Sequence, residues 1–207
     1  MMHFVRPPGL AIAITPRWSL LRECLVVVGF SLLIALAARI AVTLPFTPVP
    51  ITGQTLAVLL AGAVLGSRRG FVSVLLYLGW GTSGLPVFAG GAAGAFWATP
   101  SGGFLIGFPF AAFAVGYLTE RGLDRGLRLA AALLAGNTII YLFGLPPLAW
   151  FIANDWTGLA SAIPGSSLLQ KTLSAGLYPF ILGDLGKLAV AALVLPSARR
   201  LAASYKG

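Results

Sequence analysis

Residues 25–36 are continuously apolar, and five more apolar blocks follow. The chain of 207 residues carries only 14 Lys+Arg and 5 Asp+Glu, 9% of its length, while 58% is hydrophobic. A water-facing surface on a small domain takes about 25–35% charged side chains. So few charges cannot cover a globule of this length, and the missing solvent is lipid. A hydrocarbon core about 30 Å thick takes about 20 helical residues per span, so the chain has room for at most about eight spans, and for six with comfortable loops. An outer-membrane barrel does not fit, because its strands alternate in polarity over about ten residues. Continuous apolar runs predict an all-α, polytopic membrane protein instead.

Six blocks stand out between Pro, Gly and Arg punctuation: 20–44, 52–66, 70–86, 103–119, 126–145 and 168–195. They predict a six-transmembrane-helix bundle over residues 20–195, with tails at 1–19 and 196–207. The second and third blocks are short for a perpendicular span and are expected either to pack inside the bundle or to be extended by less apolar ends. Ala35-Leu36-Ala37 has the look of a signal-peptide cleavage site, but the apolar run continues to Leu44, so the first block is read as a span. Orientation follows from Lys and Arg, which concentrate in cytoplasmic loops. Arg6, Arg17 and Arg22 precede the first block, and Arg68 and Arg69 join the second to the third. Arg121, Arg125 and Arg128 join the fourth to the fifth, and Arg199, Arg200 and Lys206 end the chain. The loops on the other side, about 45–51, 87–102 and 146–167, contain no Lys or Arg. Both termini are therefore expected in the cytoplasm, and the net charge of +9 is topological and needs no nucleic-acid partner.

Several chemistries are absent. Gly186-Lys187 is followed by Leu188 and has no glycine five positions before Gly186, so it is not a phosphate loop. There is no H-E-x-x-H or G-x-S-x-G motif, Cys24 is the only cysteine, and His3 is the only histidine and lies in a tail. No enzyme, metal site or cofactor is expected, and Cys24 is expected to pack as a small hydrophobe. The informative charges lie inside apolar blocks, because an ionisable group there costs about 2.5–3.5 kcal/mol even on insertion scales. Asp184 and Lys187 are three apart, on one helix face. They form either an ion pair that pins the last helix or a polar anchor for a small solute, with Lys187 facing an anion and Asp184 facing donors. Gln54 and Asn137 are neutral polar groups in apolar surroundings, suited to interhelical hydrogen bonds or to a ligand. Arg39 is expected to snorkel to the interface.

Small residues recur at four-residue spacing in Ser31/Ala35, Ala37/Ala41, Gly62/Gly66 and Gly103/Gly107, which is a close-packing signal. Such a face suits a neighbouring helix of this chain or a separate membrane subunit. The uncharged, Pro- and Gly-rich loops 44–50 and 84–91 suit lids over a cavity. Trp80, Phe88, Phe96, Trp97 and Tyr178 are candidates to line that cavity, the tryptophans alternatively anchoring at the interface. No internal duplication of the kind many secondary carriers show is visible.

Residues 48–56 (PVPITGQTL), 84–88 (GLPVF), 100–107 (PSGGFLIG), Gly136-Asn137 with Tyr141, and 178–187 (YPFILGDLGK) resemble, in order and spacing, the BioY family. These are the biotin-binding S components of energy-coupling factor (ECF) transporters. The resemblance implies a six-helix, multi-pass subunit in the bacterial cytoplasmic membrane. Such a subunit captures biotin and hands it inward with a transmembrane coupling subunit and two ATPase subunits. It places ligand contacts on Asp184, Lys187, Gln54 and Asn137, joined by Tyr141, Phe88 and Tyr178, and the coupling-subunit contact on Ser31, Ala35, Ala37 or Ala41. Gly90-Gly91 stand where some relatives carry an asparagine, and Gly53 where a bulkier residue is common. The other readings are a different vitamin on the same scaffold, and a self-sufficient secondary or homo-oligomeric carrier.

Overall fold

The computed structural model describes residues 20–155, 158, 160–181 and 183–187. The expected tails 1–19 and 196–207, with His3 and five of the basic residues used for orientation (Arg6, Arg17, Arg199, Arg200, Lys206), lie outside the described residues, as does the last block from residue 188 onward. Helix α1 (Leu20–Ala37) is followed by a two-residue antiparallel ribbon, β1 (Ala41–Val42) against β2 (Ile51–Thr52), with Ala41 opposite Thr52 and Val42 opposite Ile51. Then come α2 (Gln54–Leu65), α3 (Ser67–Thr82), two short 3-10 turns (Ala89–Gly91 and Phe96–Ala98), α4 (Gly102–Glu120), α5 (Gly126–Ala153) and α6 (Leu168–Gly176). Residues 178–181 and 183–187 are helical again.

α4 is the central element, packed on α2, α3 and α5, while α1 lies on α3 and α2, and α6 on α5. The small residues explain how the backbones come so close. A Cβ on Gly62 would run into the Ala112 carbonyl, and one on Gly103 into the Phe143 carbonyl. Both pairs read from the sequence as packing signals therefore serve helices of this chain. α2 and α3 meet at Gly66, whose φ of 85° is open to glycine and rarely to other residues. The Glu120 carboxylate, at the end of α4, then accepts from the Ser67 N–H at 2.7 Å and from its hydroxyl at 3.0 and 3.1 Å. An acid at a helix start satisfies the free N–H and the dipole together.

Among the described residues, α1, α4 and α5 are long and apolar enough to cross a bilayer. α2, with twelve residues, rises only ~18 Å and is buried almost all round, as expected of the short second block. Glu23 pairs with Arg69 at 2.5 Å, and Ser67 with Glu120. Thus the start of α1, the α2–α3 junction and the end of α4, each beside arginines, gather at one end. The segments 38–53, with Arg39 as its one charged residue, and 83–101, with none, come together through Gly53 N–H to Ile40 O at 3.1 Å and Arg39 Nη2 to Pro86 O at 2.5 Å.

Three block boundaries differ from expectation. The first helix stops at Ala37 and the chain turns into β1, so Ala37 and Ala41 do not share a helix face. The fifth continues through Pro146 and Pro147 to Ala153. The sixth is interrupted at Leu177, with φ −129° and ψ −60°. Proline after a helix end cannot continue the helix, and Pro179 has no N–H for the carbonyl four residues back, that of Ala175. The Thr47 hydroxyl takes this carbonyl instead, at 2.6 Å. Cys24 is exposed on α1.

Candidate binding site

A cavity of about 230 Å³ lies between the start of α2, the middle of α4 and α5, the helical residues 178–181 and 183–187, and the covering segment 83–101. Its walls are apolar or small: Val49, Pro50, Phe104, Leu105, Phe108, Ile140 and Phe180, covered by Phe88, Ala89, Ala92, Ala93, Ala95 and Phe96. The cover carries no charged residue, in keeping with the lid expected from its sequence. Phe88 stands edge-on to Phe96, ring centroids 5.5 Å apart, and packs over Gly81, where a Cβ would collide with its ring. Gly94 N–H donates to the Gly81 carbonyl at 2.8 Å. The cover is thus fastened to α3 by backbone and ring together.

One end of the cavity is polar. Asp184, 6% exposed, accepts from Asn137 Nδ2 at 2.9 Å, from the Tyr141 hydroxyl, and from Lys187 Nζ at 3.2 Å. Lys187 Nζ also donates to Thr55 Oγ1 at 2.9 Å. A buried carboxylate needs such donors, and its charge is matched by the ammonium one helical turn on. The pair is therefore neutral as a unit and gathers three segments of the chain. Next to Thr55 in the chain, Gln54 Oε1 accepts from the Thr52 hydroxyl at 3.0 Å, and Gln54 Nε2 donates to Tyr77. Among the described residues, buried Asn137 Oδ1 has no hydrogen-bond partner, although Asn137 lines the cavity. Buried acceptors are rarely left unpaired, so a donor brought by a ligand would find it ready.

The structure brings Asp184, Lys187, Gln54, Asn137, Tyr141 and Phe88 to this one cavity, together with Phe96. Tyr178 is a correction: it is 55% exposed and points away, and Phe180, two residues on, takes the place in the wall. On a helix, residues two apart lie on different faces. Trp80 and Trp97 also do not reach the cavity. The small residues of α1 face inward: Ser31 is fully buried with its hydroxyl on the Val28 carbonyl, and Ala35 and Ala37 pack against the core. Ala41 belongs to the ribbon and pairs with Thr52. These four do not form an outward-facing stripe. Arg39 does more than snorkel, since its guanidinium holds the Pro86 carbonyl.

Sequence reasoning missed Thr55, Tyr77 and Phe180. Thr55 directly follows Gln54, and its position one residue into α2 was the available signal. Tyr77 was legible only as the one polar-tipped aromatic on a face of α3 otherwise built from Gly70, Ser73, Val74 and Gly81.

The model of the BioY family matches residues 11–204. The chain is 39% identical over 171 residues to a Rhizobium etli protein named biotin transporter BioY, covering 73% of this chain and 91% of that one. Proteins of the same name from Rhodobacter capsulatus and Thermotoga maritima are 43% identical over 173 residues (78% and 88% covered) and 36% over 173 residues (83% and 92% covered). Among solved structures, it is similar to the S component for biotin from an ECF-type ABC transporter. The TM-score is 0.59 and the identity 29%, with 87% of this chain and 90% of that chain covered.

Proposed function

This chain belongs to the BioY family, and we propose from that premise that it binds biotin and takes it up as the S component of an ECF transporter. The single observation that carries the site assignment is a covered apolar cavity whose polar end holds a neutral Asp184–Lys187 pair beside the unpartnered Asn137 Oδ1. Biotin combines an apolar bicycle with a ureido group, which offers N–H donors and a carbonyl acceptor, and an anionic valerate tail. The ureido group suits the polar end. Its N–H groups meet Asn137 Oδ1 and the Asp184 carboxylate, and its oxygen meets a Lys187 proton. The bicycle lies among Phe88, Phe104 and Phe180. The valerate carboxylate belongs at the mouth, near exposed Thr99 and half-buried Ser101. An anion set beside an already neutral pair would leave a net buried charge, which costs far more than burying a neutral urea. This moves the anion away from Lys187, where the residue types alone suggested it.

We further propose that the chain is a multi-pass, six-span protein of the bacterial cytoplasmic membrane, with both termini inside. The grouping of Arg22, Arg68, Arg69 and Arg121 at one end of the bundle supports this topology. Without a phosphate loop in its sequence, the chain draws on a transmembrane coupling subunit and two ATPase subunits for energy. Vesicles containing this chain test the assignment. Biotin accumulation that needs ATP and the added coupling and ATPase subunits is the expected result. Accumulation by the chain alone would overturn the S-component assignment and favour a self-sufficient or homo-oligomeric carrier.

A further inference from the structure

Tyr77 lies outside the cavity wall, is fully buried, and carries its hydroxyl between a cavity residue and the cover. On one side it accepts from Gln54 Nε2, and on the other it donates to the Val87 carbonyl at 3.4 Å. A phenol has one proton to give. Because the Gln54 amide supplies the hydrogen bond on its own side, the Tyr77 proton is free for Val87. The chain of bonds has one direction: the Thr52 hydroxyl to Gln54 Oε1, Gln54 Nε2 to Tyr77, and Tyr77 to Val87. Turning the Gln54 amide over would make Tyr77 give its one proton to Gln54 Oε1 and release the Val87 carbonyl, so the bond from Tyr77 to Val87 favours the way the amide now presents to the cavity. The Tyr77 ring stands edge-on to Phe88, with centroids 5.6 Å apart at 84°. The same short stretch of cover is held from the other flank by Arg39 on Pro86. A phenylalanine would fill the space of Tyr77 without the cost of burying a hydroxyl, so packing alone gives no reason for the phenol.

We propose that Tyr77 is a positioning residue for ligand binding, orienting the Gln54 amide toward the cavity and tying that amide to closure of the cover at Val87. The ligand class this favours presents a neutral urea or amide within reach of Gln54. The inference rests on the biotin assignment above.

The test is a cycle of equilibrium titrations with biotin on purified wild type, Y77F, Q54A and the double variant, with dissociation rates measured alongside. If Tyr77 acts through Gln54, each single change weakens binding by at least about fivefold. The double variant then binds within twofold of Q54A, because coupled residues do not add, and Y77F raises the dissociation rate. Penalties that multiply in the double variant, or Y77F within twofold of wild type while Q54A is weakened, would overturn the inference and leave the biotin assignment standing. A wild type that binds no biotin would overturn that assignment first. If Y77F does not fold, 3-fluorotyrosine at position 77 gives a second readout: its fluorine resonance shifts on saturation with biotin if Tyr77 is coupled to the site. A resonance unmoved by biotin would overturn the inference.

Discussion

Replacing Asp184 and Lys187 separately and together distinguishes an ion pair that only holds the bundle from one that also binds ligand. The two side chains are well covered, 7% and 19% exposed, so solvent screens them little. In K187M the carboxylate keeps its bonds from Asn137 and Tyr141 but loses its counter-charge, a cost of about 3–5 kcal/mol for a broken buried pair. In D184N the ammonium keeps only Thr55, and two donors lose their carboxylate, a cost of about 3–5 kcal/mol for a broken buried pair. At roughly 2–4 °C per kcal/mol for a chain of this size, thermal midpoints in detergent fall by about 6–20 °C in each single variant. Replacing a buried pair by neutral groups of similar shape is often close to neutral, so D184N/K187M recovers most of the lost stability. Binding behaves differently. Each single variant weakens biotin by at least ~1.5 kcal/mol, about tenfold, because a hydrogen bond to a charged group is removed. The double variant stays at least that weak although its fold is restored. Calorimetric titration and thermal unfolding on the same preparations measure both quantities. Biotin affinity within twofold of wild type in the double variant would refute the assignment and reduce the pair to a structural role.

Three further outcomes follow from single contacts. G62A, which drives a Cβ into the Ala112 carbonyl, lowers stability by about 1–3 kcal/mol, whereas G29A, with nothing within 4 Å, is neutral or stabilising. Thermal unfolding of the two variants checks the contrast. Y178A leaves the biotin dissociation constant within twofold, while F180A, which opens the cavity wall, weakens binding by at least about fivefold through lost aromatic contact. R39M removes the exposed donor on Pro86, so it speeds biotin dissociation in stopped-flow traces while the thermal midpoint moves by less than about 4 °C, the scale of an exposed charged contact.

Much of this architecture was legible because lipid makes sequence patterns strict. Apolar blocks marked the helices, and the arginines beside Glu23, Ser67 and Glu120 marked one end of the bundle. Asp184, Lys187, Gln54 and Asn137 declared themselves as polar groups in apolar runs, since lipid tolerates such groups only with partners. What escaped was decided by long-range contacts. The break at Leu177 depends on Thr47 taking the Ala175 carbonyl, 128 residues away in sequence. Ser31, Ala35 and Ala37 carried a close-packing signal that does not say whether the neighbour lies in this chain or another, and the structure shows Ser31 buried with Ala35 and Ala37 packed against this chain's core. Tyr178 and Phe180 differ by two positions, and only the phase of the final helical stretch, set by that same break, decides which of them faces the cavity.

The most direct measurement is titration of the purified wild-type chain with labelled biotin in detergent, followed by competition with unlabelled biotin, desthiobiotin, thiamine and riboflavin. Saturable one-to-one binding, displaced by biotin but not by thiamine or riboflavin and lost in D184N/K187M, is the predicted result. Retained affinity in that double variant, or displacement by thiamine or riboflavin as readily as by biotin, would contradict it.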